Sequence, residues 1–218
     1  MFAVIFEVNP KPEQWDAYLN YAKLLRPELE SIDGFIDNER YSSKRRDGWV
    51  LSLSTWRDEK AVIRWRTRAK HHEVQEKGRF EVFRDYHLRV GEIVADTHLP
   101  PGQTLREQRF DETEVGDAKL VTITEQRLEA GNMEPAALAA RLGLPFESAK
   151  ESVVEWDVFE SIYRPGNFAL FASWRDSAAA KTLATAPADA RLRSVRVIRD
   201  YGMFDRREAP QFYPAVQR

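Results

Sequence analysis

No cysteine occurs in the 218 residues, which removes disulfides, thiol nucleophiles, iron–sulfur ligation and cysteine zinc sites together. A glycine-rich phosphate loop, a G-x-S-x-G elbow and an H-E-x-x-H helix are also missing. Phosphoryl transfer, the common hydrolase elbow and zinc proteolysis therefore have no support. No apolar run approaches the ~18–20 residues of a membrane helix. The opening MFAVIFEVNPKP lacks the basic start and cleavage site of a signal peptide, which predicts a first strand in a cytoplasmic protein without a membrane partner. A net charge of −2 offers no general attraction for nucleic acid, and no base-reading motif is present.

What is present is a globular composition, 43% hydrophobic and 31% charged, and an internal duplication. "SLSTWRDEKAV" at 52–62 returns as "LFASWRDSAAA" at 170–180. Glu7 and Trp56-Arg57-Asp58 have counterparts 118 residues on, in Glu125 and Trp174-Arg175-Asp176, and "FRDYHL" at 83–88 returns as "IRDYGM" at 198–203. Each copy reads strand, helix, strand, strand, helix, strand. In the first, "FAVIFEV" alternates with period two, and Trp15, Tyr18, Ala22, Leu25, Leu29 and Ile32 follow at helical spacing, with a kink expected at Pro27. "FIDNERYSS" and "WVLSLSTW" form two further strands. Asp58 is placed to cap a second helix from about residue 59 to 77, which Gly78 closes, and "DYHLRVGEIVA" is the fourth strand.

The β-α-β-β-α-β order is the ferredoxin-like unit, whose sheet carries both helices on one face and leaves the other bare. The expected class is therefore α+β, with two such repeats packed sheet to sheet around an enclosed space. Residues 1–98 and 118–204 make the repeats, the Pro-Pro-Gly stretch 99–117 is the linker, and 205–218 is a tail that packs on the surface or on a second chain. A homo-oligomer of the two-repeat chain is a further expectation.

Trp65 lies on the stripe Val62, Trp65, Ala69, His72, one face of the predicted second helix. It either packs in the core or stacks a flat ligand. His72 shares that face and is a candidate general base or axial ligand, while His71, rotated some 100° away, is directed to solvent. Arg64 and Arg68 are candidates to angle into a pocket mouth and hold a carboxylate or phenolate, against the simpler reading of a solvated basic face. On the first strand Glu7 and Asn9 alternate with Phe6 and Val8. If the apolar set faces the helices, Glu7 points into the barrel, where burial would raise its pKa and suit it to accept a proton, or it pairs structurally with Glu125.

Trp56-Arg57-Asp58 at a strand end, Trp65 nine residues later, histidines in the next turns, Gly78-Arg79 and then Asp85-Tyr86 resemble the antibiotic biosynthesis monooxygenase (ABM) superfamily. The likeness covers residues 1 to about 96 and, more weakly, 118–204. It implies a dimeric α/β barrel, formed here within one chain. It also implies oxidation without flavin or metal, in which an electron-rich, flat phenolic or quinone-like substrate itself activates oxygen. The alternatives it raises are haem binding or degradation, and a binding or stress-response module without turnover. The haem-degrading branch uses a first-strand asparagine, a tryptophan and a histidine about three turns beyond it. Trp65 matches the tryptophan, Asn9 loosely the asparagine, and the histidine position holds Gln75. His71 falls on the family's usual histidine column. Copy two has Leu183 in place of Trp65 and no histidine after His98, so the chemistry is expected in copy one.

Overall fold

The structure, a computed structural model, describes residues 1–129 and 131–216. Copy one contains β1 (Phe2–Pro10), α1 (Trp15–Glu30), β2 (Phe35–Ser43), β3 (Val50–Trp56), α2 (Glu59–Arg66), α3 (Ala69–Lys77) and β4 (Phe83–Asp96). Copy two contains β5 (Leu120–Arg127), α4 (Pro135–Arg141), α5 (Phe146–Ala149), β6 (Val153–Ser161), β7 (Asn167–Trp174), α6 (Ser177–Leu183) and β8 (Arg191–Gly202). The eight strands close into one antiparallel barrel in the order β1-β3-β2-β6-β7-β5-β8-β4. Two seams join the copies, β2 to β6 and β4 to β8. At the first, Tyr41 pairs with Ser161 and Ser43 with Phe159; Phe159 and Ser161 are the counterparts of Tyr41 and Ser43, so the seam is symmetric about the duplication. No helix among the described residues is long and apolar enough to cross a membrane.

Strand alternation decides what goes where. Ala3, Ile5, Leu51, Leu53 and Ile93 from copy one meet Val121, Ile123, Phe159, Phe171 and Val197 from copy two inside the barrel. Phe2, Val4, Phe6 and Val8 face the helices instead. The middle of the enclosed space expected between the sheets is thus a packed core, with an open recess at its end lined by Tyr41, Leu53, Glu125 and Arg193. The duplicated aspartates do the same job in both copies. Asp58 accepts from the Ala61 amide at 2.8 Å and Asp176 from the Ala179 amide at 2.7 Å, each starting a helix.

The predicted helix over 59–77 is two helices. At Arg68 the backbone is extended, with φ −63° and ψ 130°, and the preceding Thr67 turns its hydroxyl back to Ile63 O at 2.9 Å, a local bond that competes with helix continuation. Gly78 does not close the second piece. It remains right-handed, and residues 78–82 continue as a wide turn with π-helical bonding, pressed so close that a Cβ on Gly78 would lie 2.5 Å from the Phe83 ring. α1 runs through Pro27 to Glu30.

Candidate functional site

A cavity of about 200 Å³ lies outside the barrel, between the sheet of copy one and its helices. Its floor is Val4 and Phe6 of β1, Asn38 and Arg40 of β2, Ser52 and Ser54 of β3, and Leu88 and Val90 of β4. Tyr18, Leu25 and Leu29 of α1, Trp65 and Arg66 of α2, and His71, Val74 and Gln75 of α3 form the roof. The tail of copy two closes one side with Arg206, Gln211 and Tyr213.

Why copy one has a cavity is written in the duplication. The polar floor residues Asn38, Arg40, Ser52 and Ser54 correspond to Trp156, Val158, Leu170 and Ala172, and these pack with Leu138, Leu142 and Phe168 into a continuous core under the helices of copy two. Filling the same space with apolar side chains leaves nothing to bind. The comparison of the two copies at matched strand positions was the signal for the floor, and the helix-centred reading missed it.

The break at Thr67–Arg68 resets the helical face and reverses the roles expected of the two histidines. His71 lines the cavity, its ring stacked on Trp65 with centroids 4.1 Å apart and planes at 17°, and its Nδ1 lies 3.1 Å from Trp65 O. Burial pulls its imidazole pKa down to about 4, so the ring is neutral at physiological pH and a weak base. His72 points away to the tail, stacking on Tyr213 at 5.4 Å with its Nδ1 3.0 Å from the Tyr213 hydroxyl. The expectation that His72 sits beside Trp65 and His71 in solvent is therefore corrected.

The other candidates also move. Glu7 points into the barrel, on the far side of the sheet from the cavity. Burial opposes its ionisation, but Arg89 and Arg46 outweigh that and hold the carboxyl below its ordinary range, which corrects the raised pKa and the base role expected of it. Arg89 donates to Glu7 at 2.7 Å and Arg46 donates to it as well, while Arg46 also bonds Asp157 of copy two at 2.6 Å. Glu125 has the matching place, accepting from Tyr41 at 2.6 Å and Arg193 at 2.5 Å. Asn9 lies at the barrel rim; with its amide turned to satisfy both ends it accepts from Trp49 Nε1 at 2.9 Å. Arg64 is exposed and bonds the Asp33 carbonyl at 3.0 Å, and Arg68 is an exposed residue at the start of α3. Neither lines the cavity.

The cavity is instead cationic through residues that helix periodicity does not single out. Arg40, Arg66, Arg79, Arg199 and Arg206 line it, and among the described residues none of them forms an ion pair. The one acid in the lining, Glu59, is already held by Arg109 at 2.8 Å. Four of the six buried side-chain polar atoms without a partner among the described residues border this space: Tyr18 Oη, Arg40 Nε, Arg66 Nε and Arg79 Nε. Burial raises the pKa of Tyr18 and pushes that of Tyr201 up to about 12, so both stay phenols and serve as donors. Apolar walls with unmet donors suit a small, mostly apolar molecule bearing one anionic group.

Two groups come into question for metal or haem. Glu7, His87 and Glu155 offer ligand atoms within 4.8 Å of one another, but Arg89 donates to both carboxylates and supplies the cation there. For haem, the histidine that lines the cavity, His71, lies flat against Trp65 with its Nδ1 3.1 Å from Trp65 O and is not presented to an iron.

These placements predict that His71→Ala weakens ligand binding about 3- to 10-fold by removing one stacked wall, with His72→Ala keeping near-wild-type affinity. Because the imidazole titrates near 4, binding should be flat from about pH 5.5 to 8. Calorimetric titrations of both variants across that range check this, and a midpoint near 6.5 that vanishes in His71→Ala would contradict it.

Residues 1–77 match the family profile described as antibiotic biosynthesis monooxygenase. A Pyricularia oryzae protein named jasmonate monooxygenase ABM is 49% identical over 218 residues, spanning 98% of this chain and 99% of its own. Among solved structures, an aldoxime dehydratase shares the fold with a TM-score of 0.53 at 11% identity, over 90% of this chain and 81% of its own. An antibiotic biosynthesis monooxygenase structure aligns along 100% of its length with 44% of this chain, at 18% identity and a TM-score of 0.39.

Proposed function

Because the chain belongs to the antibiotic biosynthesis monooxygenase family, we propose that its copy-one cavity carries out a monooxygenation, and that the substrate is a small, mainly apolar carboxylate, jasmonate by likeness to the Pyricularia oryzae relative. The observation that carries this reading is the composition of the cavity: apolar walls from Val4, Phe6, Leu25, Leu29 and Trp65 beside five arginines that form no ion pair among the described residues. On this reading the protein binds, orients and dries the substrate, and no bound organic cofactor takes part. Oxidation of a methylene to a carbonyl balances by itself, since one oxygen atom of O2 enters the carbon and the other leaves as water with both hydrogens. A hydroxylation instead needs two more electrons and two protons from an added reductant.

A flat phenolic or quinone-like substrate is the second reading, favoured by the aromatic edges of Phe6, Phe83, Tyr86 and Trp65 around the space. A phenolate would also meet the arginines.

Incubation under ¹⁸O2 with jasmonate, and separately with a hydroquinone, with and without NADPH, tests both. Incorporation of one labelled atom into jasmonate is expected, and Ala22→Phe, which fills the cavity from α1, should abolish it. Labelled product from the hydroquinone alone would transfer the assignment to the second reading. Oxygen consumption with neither compound would leave a binding module without turnover.

A further inference from the structure

Arg79, on the wide turn after α3, is only 3% exposed. Its guanidinium has five N–H donors to satisfy. Nη1 donates to the Tyr86 hydroxyl at 2.8 Å and to Met203 O at 3.0 Å, and Nη2 donates to Pro214 O at 3.2 Å. Nε–H has no acceptor among the described residues, while Nη2 is engaged by the Pro214 carbonyl. Nε and Nη2 together form the guanidinium edge that can grip a carboxylate with two parallel bonds. A second cation comes from the tail: Arg206 donates to the same Tyr86 hydroxyl at 2.6 Å and stands over the Tyr201 and Tyr213 rings at 5.6 and 5.3 Å. Two guanidinium groups thus converge on one phenolic oxygen, and among the described residues neither forms an ion pair. A buried charge without a counter-ion is costly, and binding an anion there removes the cost.

We infer that Arg79 and Arg206 are the anion subsite of the cavity, taking the carboxylate of the substrate, with the Pro214 carbonyl occupying one Arg79 donor until the ligand arrives. This rests on the cavity being the site of a small carboxylate's oxidation, and it fixes which end of the ligand goes where. The apolar remainder runs along β1 from Phe6 toward Val4, below Trp65. Arg206 and Pro214 both follow β8, so the tail of copy two completes the site of copy one.

Isothermal titration with jasmonate and its neutral methyl ester at pH 7 reads the subsite without relying on turnover. The acid is expected to bind the wild-type chain about 10- to 100-fold more tightly than the ester. Arg206→Gln and Arg79→Gln should each remove about tenfold or more of that preference while leaving ester affinity nearly unchanged, and Arg79→Lys should restore part of it. Preference for the acid undiminished in both glutamine variants, or acid and ester weakened alike in Arg206→Gln, overturns the subsite. If Arg79→Gln fails to fold, the half-buried Arg206 decides alone. Acid preference lost in the variants but no oxygen insertion by the wild type would remove the proposed reaction and keep the subsite. Oxygen insertion into jasmonate with no acid preference would do the reverse.

Discussion

Arg89→Ala is expected to lower the free energy of unfolding by about 3–5 kcal/mol, because it strips the cation from a buried group of carboxylates. Arg89 is 3% exposed, bonds Glu7 at 2.7 Å and Asp200 at 3.3 Å, bonds Glu155 as well, and lies over the Phe171 ring at 5.3 Å. Burial raises the pKa of Glu7 and Asp200, but Arg89, with Arg46 for Glu7 and His87 for Asp200, brings both below their ordinary values. Groups shifted this way stabilise the fold fully above the ordinary carboxylate range and lose that contribution as pH falls through it toward the depressed folded values. Without Arg89 the burial effect is less opposed, so acid unfolding should begin at higher pH. Urea titrations at pH 7 and an acid titration by circular dichroism measure both arms. A loss below about 1 kcal/mol would mean that the ion pairs are screened as at a surface.

The second large effect is on the same β4–β8 seam, two residues along β4. Gly91→Ala is expected to cost about 2–3 kcal/mol, since the strands cannot accept even a methyl group there. A Cβ on Gly91 would lie 2.3 Å from Arg196 O and 2.5 Å from Val195 Cγ1, at the irregularity where β4 pairs with β8. The nearer atom is backbone, which cannot swing aside. Gly202→Ala on the same seam meets Tyr86 O at 3.0 Å and should be milder. Thermal melts of the two variants give the order, and equal melting temperatures would show that the seam shifts to accommodate the methyl.

The barrel was legible because the features that encode it are local and repeated. Trp56 and Trp174, Asp58 and Asp176, and Glu7 and Glu125 occupy matching places in the structure, as their common spacing implied. The copy holding the cavity was legible too, through Trp65 against Leu183. What could not be read was whatever depends on one residue's backbone or on distant chain. The stripe Val62, Trp65, Ala69, His72 assumes one unbroken helix, and the extended Arg68 exchanged the places of His71 and His72. Arg206, Gln211 and Tyr213 reach the cavity from more than a hundred residues beyond its floor, where no spacing rule applies. Glu7 was aimed correctly, but its pKa depended on Arg46 and Arg89, a loop and a strand whose meeting is purely tertiary.

That the two half-barrels share one chain has a consequence for how the molecule can vary. In a barrel built from two identical chains, each substitution appears twice, so emptying or filling the space under one sheet does so under both. Here the floor of one half is polar and hollow and that of the other is solid, and a segment leaving the solid half crosses to wall the hollow one. Such one-way assistance requires the two halves to be distinguishable, which covalent fusion guarantees at any protein concentration. The solid half can then offset the instability of the hollow one, leaving the ligand-binding half free to tolerate substitutions that a self-associating pair would have to bear in duplicate.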